Sequence, residues 1–351
     1  MKKLSFKLEP ETGTLSEKDT KKYFSTIGFA IAAYMVAMYA STIIAALLFG
    51  RFAPSLLDNV IISSLISAVC QYGIAFPVCL LILFRLPKDT NPSEGIGFGK
   101  TVGGMCVALT LMSFGNSIGL FIIQLLEMAT GKTLVNPVES ATVGNSWIIN
   151  LIFVAVLAPV MEELLFRKLF CDRLLPLGEG YAVVISAFIF GLAHGNFYQF
   201  FYAFLIGCFF SYLYVKTGRL RYSLGYHVII NLLGGVFAPW IIEKLSPIIT
   251  EETVNRMLEI AESGNTEAFD AFISELTPYM PYFIAYTAYE LIFTVGSIAG
   301  IVILMRMPKK MDLRRGLLPP PKEGRIANIF CNVGIAAAIT VFVGIFLLGL
   351  L

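Results

Sequence analysis

The chain has 351 residues, of which 57% are hydrophobic and only 14% are charged. Soluble domains are about a quarter charged, so this composition excludes a soluble protein and indicates one that crosses a membrane many times. The net charge of +2 is too small to suggest nucleic-acid binding, and no basic stripe with interleaved aromatic residues is present.

Hydrophobic segments that could cross the membrane follow one another along most of the chain, since about 20 apolar residues span the hydrocarbon core. The nine candidates cover residues 24–50, 57–84, 101–129, 146–171, 180–197, 198–215, 221–242, 279–305 and 325–350. The fifth and sixth are contiguous, and Gly195-Asn196 predicts the turn between them because Gly and Asn tolerate turn geometry. The predicted fold is therefore an all-α polytopic membrane protein of about nine transmembrane helices, which enclose a polar intramembrane cavity.

The distribution of lysine and arginine predicts the orientation of these helices. Basic residues cluster in the N-terminal tail and in the links that follow spans two, four, six and eight. Because positive loops stay in the cytoplasm, all five basic segments fit one arrangement, with the N-terminus inside and the C-terminus outside.

These features divide the chain into five parts. They are a cytoplasmic tail (1–23), helices one to three (24–145), a core of helices four to seven (146–242), an acidic external segment (243–278) and helices eight and nine (279–351). Apolar residues recur at helical spacing in the acidic segment, which predicts two short amphipathic helices broken at Ser263-Gly264-Asn265. This segment is either a solvated cap or a lid that gates substrate entry.

The fourth span carries a carboxylate pair and an arginine. Glu163 and Arg167 are four residues apart, so they share a helix face and can pair. Glu162 points about 100° away from Glu163, which leaves its carboxylate free to face the cavity. In a dry site such a carboxylate can serve as a general base. The alternative is a structural ion pair near the helix end, with Glu162 reaching water.

The chain has only two histidines, and both lie in apolar spans. His194 ends the fifth span, where it could act in catalysis or simply bond at the interface. His227 and Asn231 share one face of the seventh span, and both can donate hydrogen bonds to a developing oxyanion. Interhelical hydrogen bonding is the alternative for this second pair.

Three motifs in order on apolar helices resemble the CPBP family of intramembrane proteases, which includes type II CAAX prenyl proteases and bacterial Abi proteins. The motifs are Glu162-Glu163-x-x-x-Arg167, Phe190-x-x-x-His194 and His227-x-x-x-Asn231. The resemblance covers about residues 146–240 and implies an intramembrane endopeptidase. In that reading, Glu162 and His194 activate the attacking water, while His227 and Asn231 stabilise the oxyanion.

The resemblance also bears on cofactors. Glu163 and Arg167 would hold the geometry of the site. The family has been described as metalloproteases, and zinc could bind through Glu162, His194 and His227 with water as the fourth ligand. The HExxH spacing of zinc proteases is absent, however, so we expect a glutamate mechanism that requires no cofactor.

Substrate, location and competing functions follow from the same residues. The expected substrate is a membrane-embedded or membrane-associated peptide or protein, with prenylated proteins as one candidate class. The expected location is the lipid bilayer of a bacterial cell, as a multi-pass protein. One alternative is a transporter or proton relay that uses Glu162, the histidines and Glu290 in span eight. Another is a non-catalytic immunity or scaffold protein.

The predicted boundaries leave one conflict. Measured from the cytoplasmic ends at about 1.5 Å per residue, Glu162 lies about 14 Å deep, His227 about 10 Å and His194 about 22 Å. The resemblance requires these side chains to meet, whereas this arithmetic separates them.

Overall fold

The computed structural model describes residues 3–91, 93–307 and 312–350. Over these residues the chain is almost entirely helical, with only two isolated β-bridges. Lys2, Lys309 and Lys310, which contribute to the basic pattern of the sequence, lie outside the described residues.

Nine apolar helices form the bundle within the described part of the chain. They are α1 (Glu17–Phe52), α2 (Val60–Leu83), α3 (Phe98–Thr130), α4 (Trp147–Leu177), α5 (Glu179–Ala193), α6 (Phe197–Thr217), α7 (Leu220–Leu245), α8 (Met280–Arg306) and α9 (Val333–Leu348). Short helices lie between them at Pro54–Leu57, Pro137–Thr142, Glu251–Ser263, Thr266–Leu276 and Arg325–Phe330. Seven helices of this region are long and apolar enough to span a membrane, whereas α5 and α9 are shorter. The all-α polytopic fold is confirmed; the count of nine spans and their orientation remain predictions.

The end of α4 differs from the sequence prediction and removes the conflict in depth between Glu162 and His194. The helix continues past residue 171 to Leu177, and Gly178, at φ 135°, turns the chain directly into α5. Glu162 therefore lies 15 residues before the end of α4, and His194 lies 15 residues after the start of α5. Both are about 22 Å from the same turn, so they lie at similar depth.

The turn between α5 and α6 forms where the sequence predicted it. Gly195 adopts φ +67°, and Asn196 caps α6 by accepting a hydrogen bond from the backbone of Gln199 at 2.9 Å. Because α5 has only 15 residues, this hairpin places His194 inside the bundle.

Glycines let the outer helices approach the others closely. On α1 and α9, a Cβ on Gly28 would overlap the backbone of Gly334, and one on Gly334 would overlap Ser25. On α8, a Cβ on Gly300 would overlap Cys106 of α3 in the same way. Without a hydrophobic driving force between helices in lipid, such close contact is a main source of their association.

The linker after α8 is fastened to the turn between α4 and α5. The carboxylate of Glu179 is buried and accepts hydrogen bonds from Arg314 (2.7 Å) and Lys216 (2.6 Å). The backbone of Leu318 adds a bond to the carbonyl of Pro176 at 2.6 Å. The hydrogen bond between Arg314 and Glu179 also raises the pKa of the Arg314 guanidinium. The turn between α4 and α5 is thereby held in place by the end of α6 and by the linker after α8.

The acidic segment contains the two helices that the sequence predicted, Glu251–Ser263 and Thr266–Leu276. Gly264 at φ +62° ends the first helix, and Asn265 caps the second. Arg256 and Glu275 join the two helices at 2.9 Å. The role of this segment as cap or lid stays a prediction.

Candidate active site

Glu162 and Glu163 lie where α4 changes its winding. The helix is π-helical over Leu151–Leu157 and Glu163–Cys171, with a short α-helical stretch, Ala158–Glu162, between them. π-helical turns inside α-helices occur frequently at functional sites. The predicted pairing of Glu163 with Arg167 is present: Nε and Oε2 are 3.3 Å apart, and both side chains are fully buried.

Aromatic rings enclose the Arg167 guanidinium. Its central carbon lies 4.4 Å from the ring centre of Phe190 and 5.4 Å from that of Phe210. Desolvated cation–π contacts of this kind stabilise by about 2 kcal/mol each. Ion pairing and aromatic faces thus compensate the buried charge, since no hydrogen bond of good geometry reaches the guanidinium from the described residues.

His227 joins the two glutamates. Its Nδ1 lies 3.0 Å from Oε1 of Glu163, and its Nε2 lies 3.6 Å from Oε2 of Glu162. A carboxylate only accepts, so Nδ1–H donates to Glu163. Glu162 keeps 18% of its side chain exposed, while Glu163 has none. The more accessible carboxylate is the one that the sequence analysis assigned to water activation.

His194 is oriented by the end of its own helix. Its Nδ1 lies 2.8 Å from the carbonyl oxygen of Phe190, which can only accept, so Nδ1 carries the proton and Nε2 is left unprotonated in the neutral ring. The imidazoles of His194 and His227 both meet the Phe190 ring edge to face, at 4.9 and 5.7 Å between ring centres. Among the described residues, the close partner of Glu162 is His227 rather than His194.

Asn231 satisfies a backbone group that the π-helix leaves open. The N–H of Ala158 bonds to Phe153, and the next residue, Pro159, has no N–H to offer to the carbonyl of Val154. The side chain of Asn231 donates to this carbonyl at 2.9 Å. One amide hydrogen and the Oδ1 atom of Asn231 remain available to other groups.

Two cavities adjoin the bundle core. One of about 460 Å³ is lined by both polar and apolar residues, including Asn231; α3, α4, α6 and α7 contribute to its wall. No residue of α5 lines it. The other, of about 560 Å³, is apolar and lies between α7 and α8. Glu162, His194 and His227 line neither.

Glu162, His194 and His227 are the residues through which zinc could bind. Among the described residues, no group of three His, Cys, Asp or Glu side chains is placed to hold a metal ion. Glu162, His194 and His227 therefore do not form a ready zinc site.

The structure thus gathers most of the residues that the sequence singled out. Glu162, Glu163, Arg167 and His227 form one connected cluster, and His194 adjoins it through Phe190. Asn231 lies one turn beyond His227 on α7. Glu290 lies elsewhere, exposed on α8, where it interacts with Tyr286 one turn earlier.

The region that carries these residues is similar to known proteins. Residues 144–233 match the family model described as type II CAAX prenyl endopeptidase Rce1-like. Over 213 residues the chain is 24% identical to the "Putative membrane peptidase YdiL" of Bacillus subtilis (strain 168), an alignment that covers 58% of this chain and 85% of that protein. No solved structure matches the chain. The matched region spans the three motifs on α4, α5 and α7, so both comparisons support the resemblance of this chain to the CPBP family.

Proposed function

We propose that this protein is a glutamate-type endopeptidase that hydrolyses peptide bonds of membrane-embedded or membrane-associated substrates. The observation that carries the proposal is the buried chain of contacts from Arg167 through Glu163 and His227 to Glu162. Ionisable groups inside a bilayer are costly and mark functional sites by default. A structural ion pair would need only Glu163 and Arg167, so the second carboxylate and the imidazole call for another role.

Glu162 and His194 are proposed to activate the attacking water. The carboxylate of Glu162 takes one proton from the water. The unprotonated Nε2 of His194 accepts a hydrogen bond from the other O–H of the same water. The water oxygen then forms a bond to the carbonyl carbon. Glu162 returns its proton to the amide nitrogen as the C–N bond breaks, which yields a carboxylic acid and an amine. A base and acid of this kind contributes about 10²- to 10⁴-fold in rate.

His227 and Asn231 are proposed to stabilise the oxyanion. His227 already donates from Nδ1 to Glu163, so donation from Nε2 requires the doubly protonated ring, whose charge the two carboxylates offset. Asn231 has one amide hydrogen left after its bond to Val154. Glu163 and Arg167 would keep the imidazole of His227 in place.

The decisive experiment uses purified protein in liposomes and two quenched fluorescent peptides, a farnesylated CAAX peptide and an unprenylated transmembrane peptide. We expect the wild-type protein to cleave at least one of them, and the two arms show whether the prenyl group matters. Glu162→Gln and His194→Ala should each lower the rate by about 100-fold or more. Dialysis against a strong chelator should leave the rate intact.

Glu290→Gln is the matched control, because it neutralises another intramembrane carboxylate that lies away from the site. It should cleave like the wild type, whereas a proton relay through α8 would lose function. Full activity of either Glu162→Gln or His194→Ala would refute the mechanism. Wild-type protein that cleaves neither peptide would favour a non-catalytic scaffold, and chelator-induced loss restored by zinc would overturn the glutamate mechanism.

A further inference from the structure

Side-chain amides line the cavity of about 460 Å³, which we call the amide pocket. Its carboxamides are Asn116 of α3, Asn136 before the short helix Pro137–Thr142, Gln199 of α6 and Asn231 of α7. They come from four separate parts of the chain and carry no net charge. Each amide can both donate and accept hydrogen bonds.

Three of these amides have partners within the protein. Asn231 donates to the carbonyl of Val154, and Gln199 donates to the hydroxyl of Tyr202 at 3.1 Å. Asn136 accepts from the backbone of Val138 at 3.1 Å and so caps the helix that follows.

Asn116 is different, because it makes no side-chain hydrogen bond to another described residue. It lies near the middle of α3, a helix of 33 residues, and is exposed on the pocket wall. Its carboxamide can therefore both donate and accept hydrogen bonds with a ligand that enters the pocket.

The ligand that fits is an extended polypeptide backbone. A peptidase must unwind the segment that it cleaves, and within a bilayer the freed N–H and C=O groups need partners from the protein. A carboxamide can pair with both at once, as a neighbouring strand would.

We propose that the amide pocket holds the substrate backbone next to the scissile bond, and that Asn116 is a substrate-binding residue in it. The position follows from Asn231, which lines the pocket and lies one helical turn from His227. A backbone bound to Asn116 would thus continue toward the glutamates. The inference rests on the proposed peptidase function and adds the residue that recognises the substrate.

The test measures equilibrium binding of a fluorescein-labelled version of the unprenylated transmembrane peptide to the protein in nanodiscs, by fluorescence anisotropy. A series of peptides replaces one backbone amide at a time by an ester, which removes a single N–H donor. Wild-type protein should lose roughly three- to ten-fold in affinity for at least one ester, the worth of one hydrogen bond. Asn116→Leu should bind the all-amide peptide weaker by a similar factor and show no further loss with that ester.

Ser117→Leu is the matched control. It introduces the same side chain one residue along α3, at an exposed position that does not line the pocket, and should bind like the wild type. Asn116→Leu with wild-type affinity, or with unchanged sensitivity to every ester, would overturn the assignment. So would wild-type protein that does not bind the peptide. Intact binding without cleavage would instead refute the peptidase function and leave only peptide binding through Asn116 standing.

Discussion

Arg167 concentrates much of the site's electrostatics in one fully buried side chain. It faces Glu163 on one side and lies against Phe190 and Phe210 on the others. Lysine could not replace it equally, because only the flat guanidinium stacks on aromatic faces while it pairs with a carboxylate. Arg167 therefore fixes the position of the Glu163 carboxylate, which in turn contacts His227.

Removing this cation should be costly. Arg167→Met leaves the Glu163 carboxylate buried with only His227 and Ser223 as partners, and breaking a buried pair from one side costs about 3–5 kcal/mol. We expect the variant to unfold at a lower temperature in detergent, as measured by tryptophan fluorescence. The double variant Glu163→Gln, Arg167→Met should recover part of the stability but not the activity. If Arg167→Met were as stable as the wild type, the ion pair between Glu163 and Arg167 would not stabilise the fold.

The two histidines should show different hydrogen positions. His194 donates from Nδ1 to Phe190, so its neutral ring should carry no proton on Nε2. Because the chain has only two histidines, ¹⁵N-histidine labelling gives a spectrum that His194→Ala can assign. A neutral His194 with its proton on Nε2 would remove the proposed hydrogen-bond acceptor for water.

Residue spacing in the sequence predicted part of this site. The pairing of Glu163 with Arg167 needs only the helical repeat, and the structure confirms it. The contacts of His227 with both glutamates cross from α7 to α4, and no local pattern encodes them. The bond from Asn231 to Val154 depends on a π-helical turn, although Pro159 five residues after Val154 was a visible signal for it.

Among the helices, the short hairpin of α5 and α6 decides where the chemistry can occur. The sequence located its turn at Gly195-Asn196, because both residues have strong local preferences. It placed the end of α4 at residue 171 instead of Leu177, because Asp172 and Arg173 look like a polar loop. In the structure both are buried and bonded, Asp172 to Tyr214 at 2.7 Å and Arg173 to the carbonyl of Leu83 at 2.7 Å. Tertiary partners that are distant in sequence overrode the local polarity.

The crossing of α1 and α9 offers a test of helix packing. Gly334→Val would push a branched side chain into the backbone of α1 near Ser25, so we expect α9 to separate and the protein to unfold at lower temperature. Overpacking of this kind costs about 1–3 kcal/mol or more. Gly344→Val on the same helix is the control, since no atom lies within 4 Å of its Cβ position. Equal unfolding temperatures of the two variants would argue against the close crossing.

At the scale of the whole molecule, α1, α2, α3, α8 and α9 lie outside the region that matches the family model. They still reach the site indirectly. Tyr23 of α1 donates its hydroxyl to the backbone of Arg173 at the end of α4, and the linker after α8 bonds to Glu179. The hydropathy of the sequence predicted these helices but not their contacts. A helix that is apolar on every face does not reveal which face packs against protein and which faces lipid.

Orientation can be measured by labelling introduced cysteines with a membrane-impermeant maleimide in a Cys331→Ser background. Ser263→Cys, in the turn between the two acidic-segment helices, should react in intact cells. Ser5→Cys, in the N-terminal tail, should react only after the cells are permeabilised. The reverse pattern would invert the predicted topology, and labelling of both in intact cells would refute the assigned span count.

The buried pair on α4 has a consequence for biosynthesis. Helices leave the ribosome in order, so Arg167 reaches the insertion machinery before Phe190, Phe210 and His227 emerge. Until those partners arrive, α4 carries charges that lipid disfavours by about 2.5–3.5 kcal/mol each. We expect α4 to remain beside the translocon until α5 to α7 emerge, and the four helices to enter the bilayer together. The catalytic core would then be assembled as a unit before any lipid surrounds it.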